Sequence, residues 1–236
     1  MDLKEIIYKD KLNYYIRDKL GLIDTVLSKA ISNNKNINRI LSVGCGTAEE
    51  LEILGKYGEV YAIDVEKEAV KFASWCKEVR ICDVCELNYP DNFFDIVIAL
   101  DVLEHIEDDK RAVEQIYRVL SQGGVFIFTV PAFQFLFSAH DRFLGHKRRY
   151  NERMLETLLF KFSKLDLFFY NYLLFIPMCA FRILRKRSHE SSDFKYIPKT
   201  VLFIPHIFSL IELFLLKTFN FKFKFFGLGI CGIAYK

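Results

Sequence analysis

From Arg39 to Pro131, short apolar runs alternate with segments of mixed polarity, and this rhythm constrains the fold more than any other feature of the chain. Arg39–Val43, Glu59–Val65, Val79–Val84, Asp95–Val102 and Val125–Pro131 read as strands. Thr47–Tyr57, Glu66–Glu78 and Asp108–Leu120 read as the helices between them, the last stopped by Gln122-Gly123-Gly124. Asp95–Val102 is apolar almost throughout, as expected of a strand covered on both faces. Strands separated by helices predict an α/β architecture: a mostly parallel sheet with helices on both faces.

Beyond Pro131 the rhythm changes. Residues 132–150 form a loop rich in His and Arg, followed by a helix over Asn151–Ser163 and a strand near Leu165–Tyr172. A Gly-punctuated run, Gly227–Tyr235, completes seven strands. Between the last two strands lies an apolar helical insertion, 175–222. Residues 1–38 read as a polar helical cap. At 236 residues and 52% hydrophobic, the chain holds enough material for one large core and is not a disordered polymer. Six cysteines without regular spacing exclude a disulfide scaffold. Cys82-x-x-Cys85 has no second pair at matching spacing, so no metal site is expected. Met1–Asp18 lacks the continuous apolar stretch of a secretory signal, and a cytoplasmic setting is expected.

The loop Val43-Gly44-Cys45-Gly46-Thr47-Ala48 joins the first strand to the first helix of the sheet, and its glycines let a ligand approach the backbone. Asp64 closes the second strand, where an acid accepts hydrogen bonds from ribose hydroxyls. A dinucleotide fingerprint would need a third glycine at position 49, which is Glu49, and a carboxylate there repels a pyrophosphate. A cofactor with a ribose and no phosphate fits better.

These motifs, with Cys82-Asp83-Val84 and the run Phe94–Ile106, resemble the class I S-adenosylmethionine-dependent methyltransferases over about residues 39–131. The resemblance implies a Rossmann-like fold and S-adenosylmethionine as cofactor. It assigns Gly44 and Gly46 to the methionine part, Asp64 to the ribose, Asp83 to the adenine amino group and Asp101 to the methionine or the transferring methyl, with Cys45, Val65 and Val84 as further cofactor-binding residues. Residues 39–174 and 223–236 would form the methyltransferase domain. Ala48 stands where many members carry a third glycine; its small size predicts tolerance. His105 reads as a packing or capping residue at a helix start.

The run His140-Asp141-x-x-x-Gly145-His146-x-Arg148-Arg149-Tyr150 is similar to a subgroup associated with surface-polysaccharide and glycan assembly, as is the early Tyr14-Tyr15-Ile16-Arg17. The loop lies beyond a strand end, where open sheets place ligands. His140, Asp141 and His146 are candidate catalytic groups, with either histidine as general base. Arg148, Arg149 and Tyr150 are candidate acceptor-binding residues.

Charge and phenylalanine are unevenly spread. Residues 1–120 carry a net charge of −7 and residues 121–236 a net of +10, and 21 of the 24 phenylalanines lie in the second half. Basic residues set among Leu, Ile and Phe suit an anionic lipid surface better than nucleic acid. Pro205, His206, Glu212 and Lys217 interrupt the apolar run 201–219, so a dip into one leaflet is expected rather than a span. The expected function is O-methylation of a sugar on a lipid-linked glycan, by an enzyme peripheral to the cytoplasmic face of the membrane. A quinone, isoprenoid or other lipid acceptor, and a non-catalytic cofactor-binding adaptor, are the alternatives. Oligomeric state is not legible.

Overall fold

A computed structural model describes residues 9–31, 37–184, 203–218 and 226–236. Seven strands form one sheet: β1 (Arg39–Val43), β2 (Glu59–Asp64), β3 (Glu78–Ile81), β4 (Phe94–Leu100), β5 (Leu120–Pro131), β6 (Lys164–Tyr170) and β7 (Gly229–Tyr235). Their order is β3-β2-β1-β4-β5-β7-β6. β1 to β5 pair in parallel, while β7 runs antiparallel to both β5 and β6. The mostly parallel seven-stranded sheet is therefore present as the sequence implies. Chain order reverses at β1, whose neighbours are β2 and β4, and the carboxyl ends at such a reversal are where open α/β sheets bind ligands. Val43 pairs with Ile63 and with Ala99, which brings Gly44, Asp64 and Asp101 to that one edge.

Alternate residues of each central strand feed two cores. Leu41, Val43, Val97, Ala99, Phe126 and Phe128 face one side, and Ile40, Ile96, Ile98, Val125 and Ile127 the other. Both sets are at most 4% exposed, each large side chain worth roughly 1.5–3 kcal/mol of burial. Gly232 of β7 lies under Phe128; a Cβ there would sit 2.1 Å from the ring.

The helices are α1 (Lys9–Ile31), α2 (Leu51–Leu54), α3 (Lys67–Phe72), α4 (Asp109–Val119), α5 (Ala139–Leu144), α6 (Glu152–Leu158), α7 (Phe175–Leu184) and α8 (Phe203–Thr218). Several are shorter than the sequence suggests. The expected Thr47–Tyr57 helix contracts to α2 because the chain first turns through left-handed Gly46 and Ala48, at φ 49° and 67°. The third strand ends at Ile81, and Val84–Glu86 forms a 3₁₀ turn capped by Asp83. β5 begins at Leu120, before the double glycine rather than after it, with a register shift opposite Phe94–Ile96.

The polar cap expected at the N-terminus is instead part of the core. Leu22, Ile23, Val26, Leu27 and Ala30 form a helical stripe, each at most 4% exposed. α8 packs across α1, with Leu213 against Gly21. Glu212, one of the residues that interrupt the apolar run, is buried and accepts the backbone N–H groups of Asn171 and Leu173 at 2.7 and 2.8 Å. No helix among the described residues is long and apolar enough to cross a membrane. Arg185, Lys186, Arg187, Lys222 and Lys224, the basic flanks of the insertion, lie outside the described residues, as do the side chains of Tyr14, Tyr15, Ile16 and Arg17.

Candidate active site

The turn after β1 is held by the end of β2. Gly44 and Cys45 N–H groups both donate to the Ile63 carbonyl. Asp64 Oδ2 accepts the Gly46 N–H and its Oδ1 the Glu66 N–H, both at 2.9 Å. A carboxylate offers about four lone-pair sites, so two backbone bonds leave capacity for ribose hydroxyls. Gly44 sits at φ 69°, and a Cβ there would lie 2.6 Å from Val102 Cγ2. Only glycine fits that approach. Ala48 adopts the same left-handed region at φ 67°, so the third glycine common here relieves backbone strain, and small size is not the reason for it.

Around this turn the predicted cofactor residues fall together along the sheet edge. Val65 is 63% exposed, presenting an apolar face, whereas Val84 is buried. Asp83 is exposed and accepts the Cys85 N–H at 2.8 Å. Burial pushes the Cys45 thiol up to about 12, which leaves it inert. Burial also raises Glu50, which accepts a hydrogen bond from Ser42 Oγ.

Asp101 follows β4 at φ 55°. Burial alone would raise its carboxyl, but the Lys19 ammonium at 2.7 Å and the Thr129 hydroxyl at 2.8 Å bring it down to about 2. Lys19 belongs to α1 and was not singled out from the sequence; nothing local distinguishes it from the other lysines of that helix. The donor set suits S-adenosylmethionine: acids line the crevice, matching hydroxyls, an ammonium and a sulfonium, and mismatching phosphates.

The acceptor-side run explains its own spacing. Ser138 and Asp141 form a capping box at the start of α5, and Gly145 ends that helix at φ 79°. The chain turns back, so that His146 Nδ1–H donates to Asp141 Oδ1 at 3.0 Å and Arg149 Nε donates to the same oxygen at 2.7 Å. Burial would raise Asp141, but His146 and Arg149 hold it well below the usual carboxylate range. Asp141 thus holds both neighbours in place. Arg149 is 2% exposed and also bonds the Ala132 carbonyl. Tyr150 is 1% exposed, its hydroxyl 2.8 Å from Asp109 Oδ2 and 3.1 Å from the Leu103 carbonyl. Both side chains are buried and hydrogen-bonded within the chain. Arg148 pairs with Asp109 at 2.9 Å and bonds the Glu107 carbonyl. His140 is buried beneath the cap, its N–H donating to Ser138 Oγ.

His146 meets two residues that sequence reasoning left aside or undervalued. Its ring lies edge-on to His105, with centroids 4.7 Å apart, and its Nε2 is 4.0 Å from Glu104 Oε1. Glu104 is fully buried, and burial together with the nearby Asp101 charge pushes its carboxyl well above the usual range. The Glu104-His105 pair was visible in the sequence, but its partner His146 is supplied by the loop beyond β5. The chain just beyond β5 carries an aromatic cluster. Phe133, at an unusual φ of 60°, stacks on Phe169 at 5.4 Å and on Phe135 at 5.5 Å, with Phe175 and Phe226 edge-on.

Residues 41–128 match a family described as a methyltransferase domain. Over that span the chain is similar to methyltransferase domains. The match supports S-adenosylmethionine as the cofactor, and the matched span holds Gly44, Asp64, Asp83 and Asp101, whereas Lys19 and Thr129, which hold Asp101, lie outside it. The mitochondrial ubiquinone biosynthesis O-methyltransferase of Rattus norvegicus is 36% identical over 105 residues, 39% of this chain and 30% of that protein. An uncharacterized protein of Methanocaldococcus jannaschii is 35% identical over 139 residues, 55% of this chain and 52% of its own length. The chain thus spans about a third to a half of these relatives. Among solved structures, a SAM-dependent methyltransferase from Archaeoglobus fulgidus superposes with a TM-score of 0.58 at 20% identity, covering 92% of this chain and 94% of that one. Phosphoethanolamine N-methyltransferase 2 of Haemonchus contortus, in complex with S-adenosylmethionine, gives 0.58 at 16% identity over 90% of this chain and 52% of that chain. The methyltransferase fold therefore extends past the matched span to nearly the whole chain.

Proposed function

We propose that the protein methylates an oxygen of a lipid-borne acceptor while resting on the cytoplasmic face of a membrane. The observation that carries this reading is the aromatic cluster of Phe133, Phe135, Phe169, Phe175 and Phe226, centred just beyond the end of β5, the strand whose Thr129 bonds Asp101. Phe135 and Phe226 are 54% and 62% exposed. On the insertion helices, Ile176, Leu210 and Phe214 are further exposed apolar residues, each more than half exposed. The cofactor, when bound, supplies a methyl group on a sulfonium. The chain's contribution is alignment and water exclusion: the Gly44 turn admits the methionine part, Asp64 holds the ribose, and the aromatic cluster seats the acceptor.

Within this class the sugar of a lipid-linked glycan and a ring of quinone type remain distinct. The glycan reading rests on the His140–Tyr150 run. With Asp141, Arg149 and Tyr150 hydrogen-bonded within the chain, the aromatic cluster favours an acceptor recognised through its rings or lipid. The ubiquinone-biosynthesis relative is in keeping with that.

The test uses purified protein and methyl-labelled S-adenosylmethionine, added separately to membrane and soluble extracts of the source cells. Label in a solvent-extractable species supports the proposal; release of a methylated sugar by mild acid identifies the glycan version, and retention in the lipid the ring version. Label confined to the soluble extract overturns it.

A further inference from the structure

We propose that Glu104, His105 and His146 bind a divalent transition ion of the zinc type, with Asp141 as the group that orients His146. Their ligand atoms lie within 4.8 Å of one another. An ion at ~2.0–2.2 Å from each donor would draw them together by roughly an ångström. Two imidazoles and one carboxylate are a common donor set for zinc and its first-row neighbours, leaving a further position open.

Three features of the chain argue for an ion. Among the described residues neither oxygen of the Glu104 carboxylate has a hydrogen-bond partner, although the residue is 0% exposed. A buried carboxyl left without partners is costly, and native structures rarely keep one without a reason. Next, His146 Nδ1 lies 3.0 Å from Asp141 Oδ1, which leaves Nε2 as the ring nitrogen turned to Glu104. Nε2 faces Glu104 Oε1 at 4.0 Å, too far apart for a hydrogen bond. A carboxylate behind a histidine is the arrangement that orients imidazole ligands in metal sites. Finally, the loop is fastened in register, because the Lys147 N–H donates to the Glu104 carbonyl at 2.7 Å. The cluster adjoins Asp101, whose charge acts on Glu104 and is acted on by His146. An ion there would lie at the methyl-transfer end and polarise an acceptor oxygen; that role, unlike the binding itself, rests on the proposed function.

The test is titration of the untagged, chelator-treated full chain with Co²⁺, read by visible absorption, then with Zn²⁺ in competition. One Co²⁺ per chain, displaced by Zn²⁺, is expected. Glu104→Gln and His105→Ala should each abolish the band, and Asp141→Asn should weaken binding about 10–100-fold. His105 is only half-buried, so its variant keeps the test decisive should Glu104→Gln fail to fold. Absence of stoichiometric binding, or binding unchanged in His105→Ala, overturns the site. S-adenosylmethionine affinity of the metal-free protein is measured alongside: its loss would count against the methyltransferase reading alone, since the ion shares no ligand with the Gly44–Asp64 crevice.

Discussion

Lys19 and Asp101 lie 82 positions apart in sequence yet form a 2.7 Å ion pair at the methyl end of the crevice, with side-chain exposures of 17% and 23%. The carboxyl moves from an ordinary 3.8 to about 2. At ~1.4 kcal/mol per pH unit, that shift contributes about 2 kcal/mol to stability at neutral pH. Because the folded value is depressed, the contribution is complete above the unfolded value of 3.8 and fades as pH falls through about 2. At pH 3 the same two values leave about 1 kcal/mol. The perturbation is a double-mutant cycle of Lys19→Met, Asp101→Asn and the combined variant, followed by urea unfolding at pH 7 and pH 3. The expected coupling is about 2 kcal/mol at pH 7 and about half that at pH 3. A coupling below ~0.5 kcal/mol at pH 7, or one equal at both pH values, would refute the reasoning. The pair would then be a surface contact of no energetic consequence.

Gly44→Ala places a methyl group 2.6 Å from Val102 Cγ2 in a left-handed conformation; calorimetric titration with S-adenosylmethionine should show at least ~10-fold weaker binding, and unchanged affinity would move the crevice elsewhere. Ala48→Gly relieves strain at φ 67° and should raise stability by up to about 1 kcal/mol in thermal unfolding, whereas a loss would mean the loop tolerates alanine there. Tyr150→Phe removes the hydroxyl from Asp109 and the Leu103 carbonyl, costing about 1–2 kcal/mol of unfolding free energy without altering cofactor affinity; a selective loss of turnover would place Tyr150 in the acceptor site.

The sequence by itself determined the layout of the sheet and the cofactor crevice. Strand periodicity, the glycine turn and acids at successive strand ends are written in adjacent residues, because in a parallel sheet each of those positions is fixed by its own βα unit. Gly44, Asp64, Asp83 and Asp101 could be read there for that reason. Element ends were less legible: the start of α2 depends on the backbone at Gly46 and Ala48, and residue type alone does not reveal a left-handed alanine. The acceptor side was legible as a motif, but not how its residues pack. His140–Tyr150 offers two histidines, an acid and two arginines, and only folding shows which of them turn inward. Asp141 and Arg149 satisfy each other, Tyr150 joins the core, and His146 alone is carried across to Glu104 and His105. Lys19 meets Asp101 for the same reason. Such pairings are contacts between segments brought together by the crossovers of the sheet, and no local spacing encodes them. What a buried charge does is decided by what the tertiary structure packs against it.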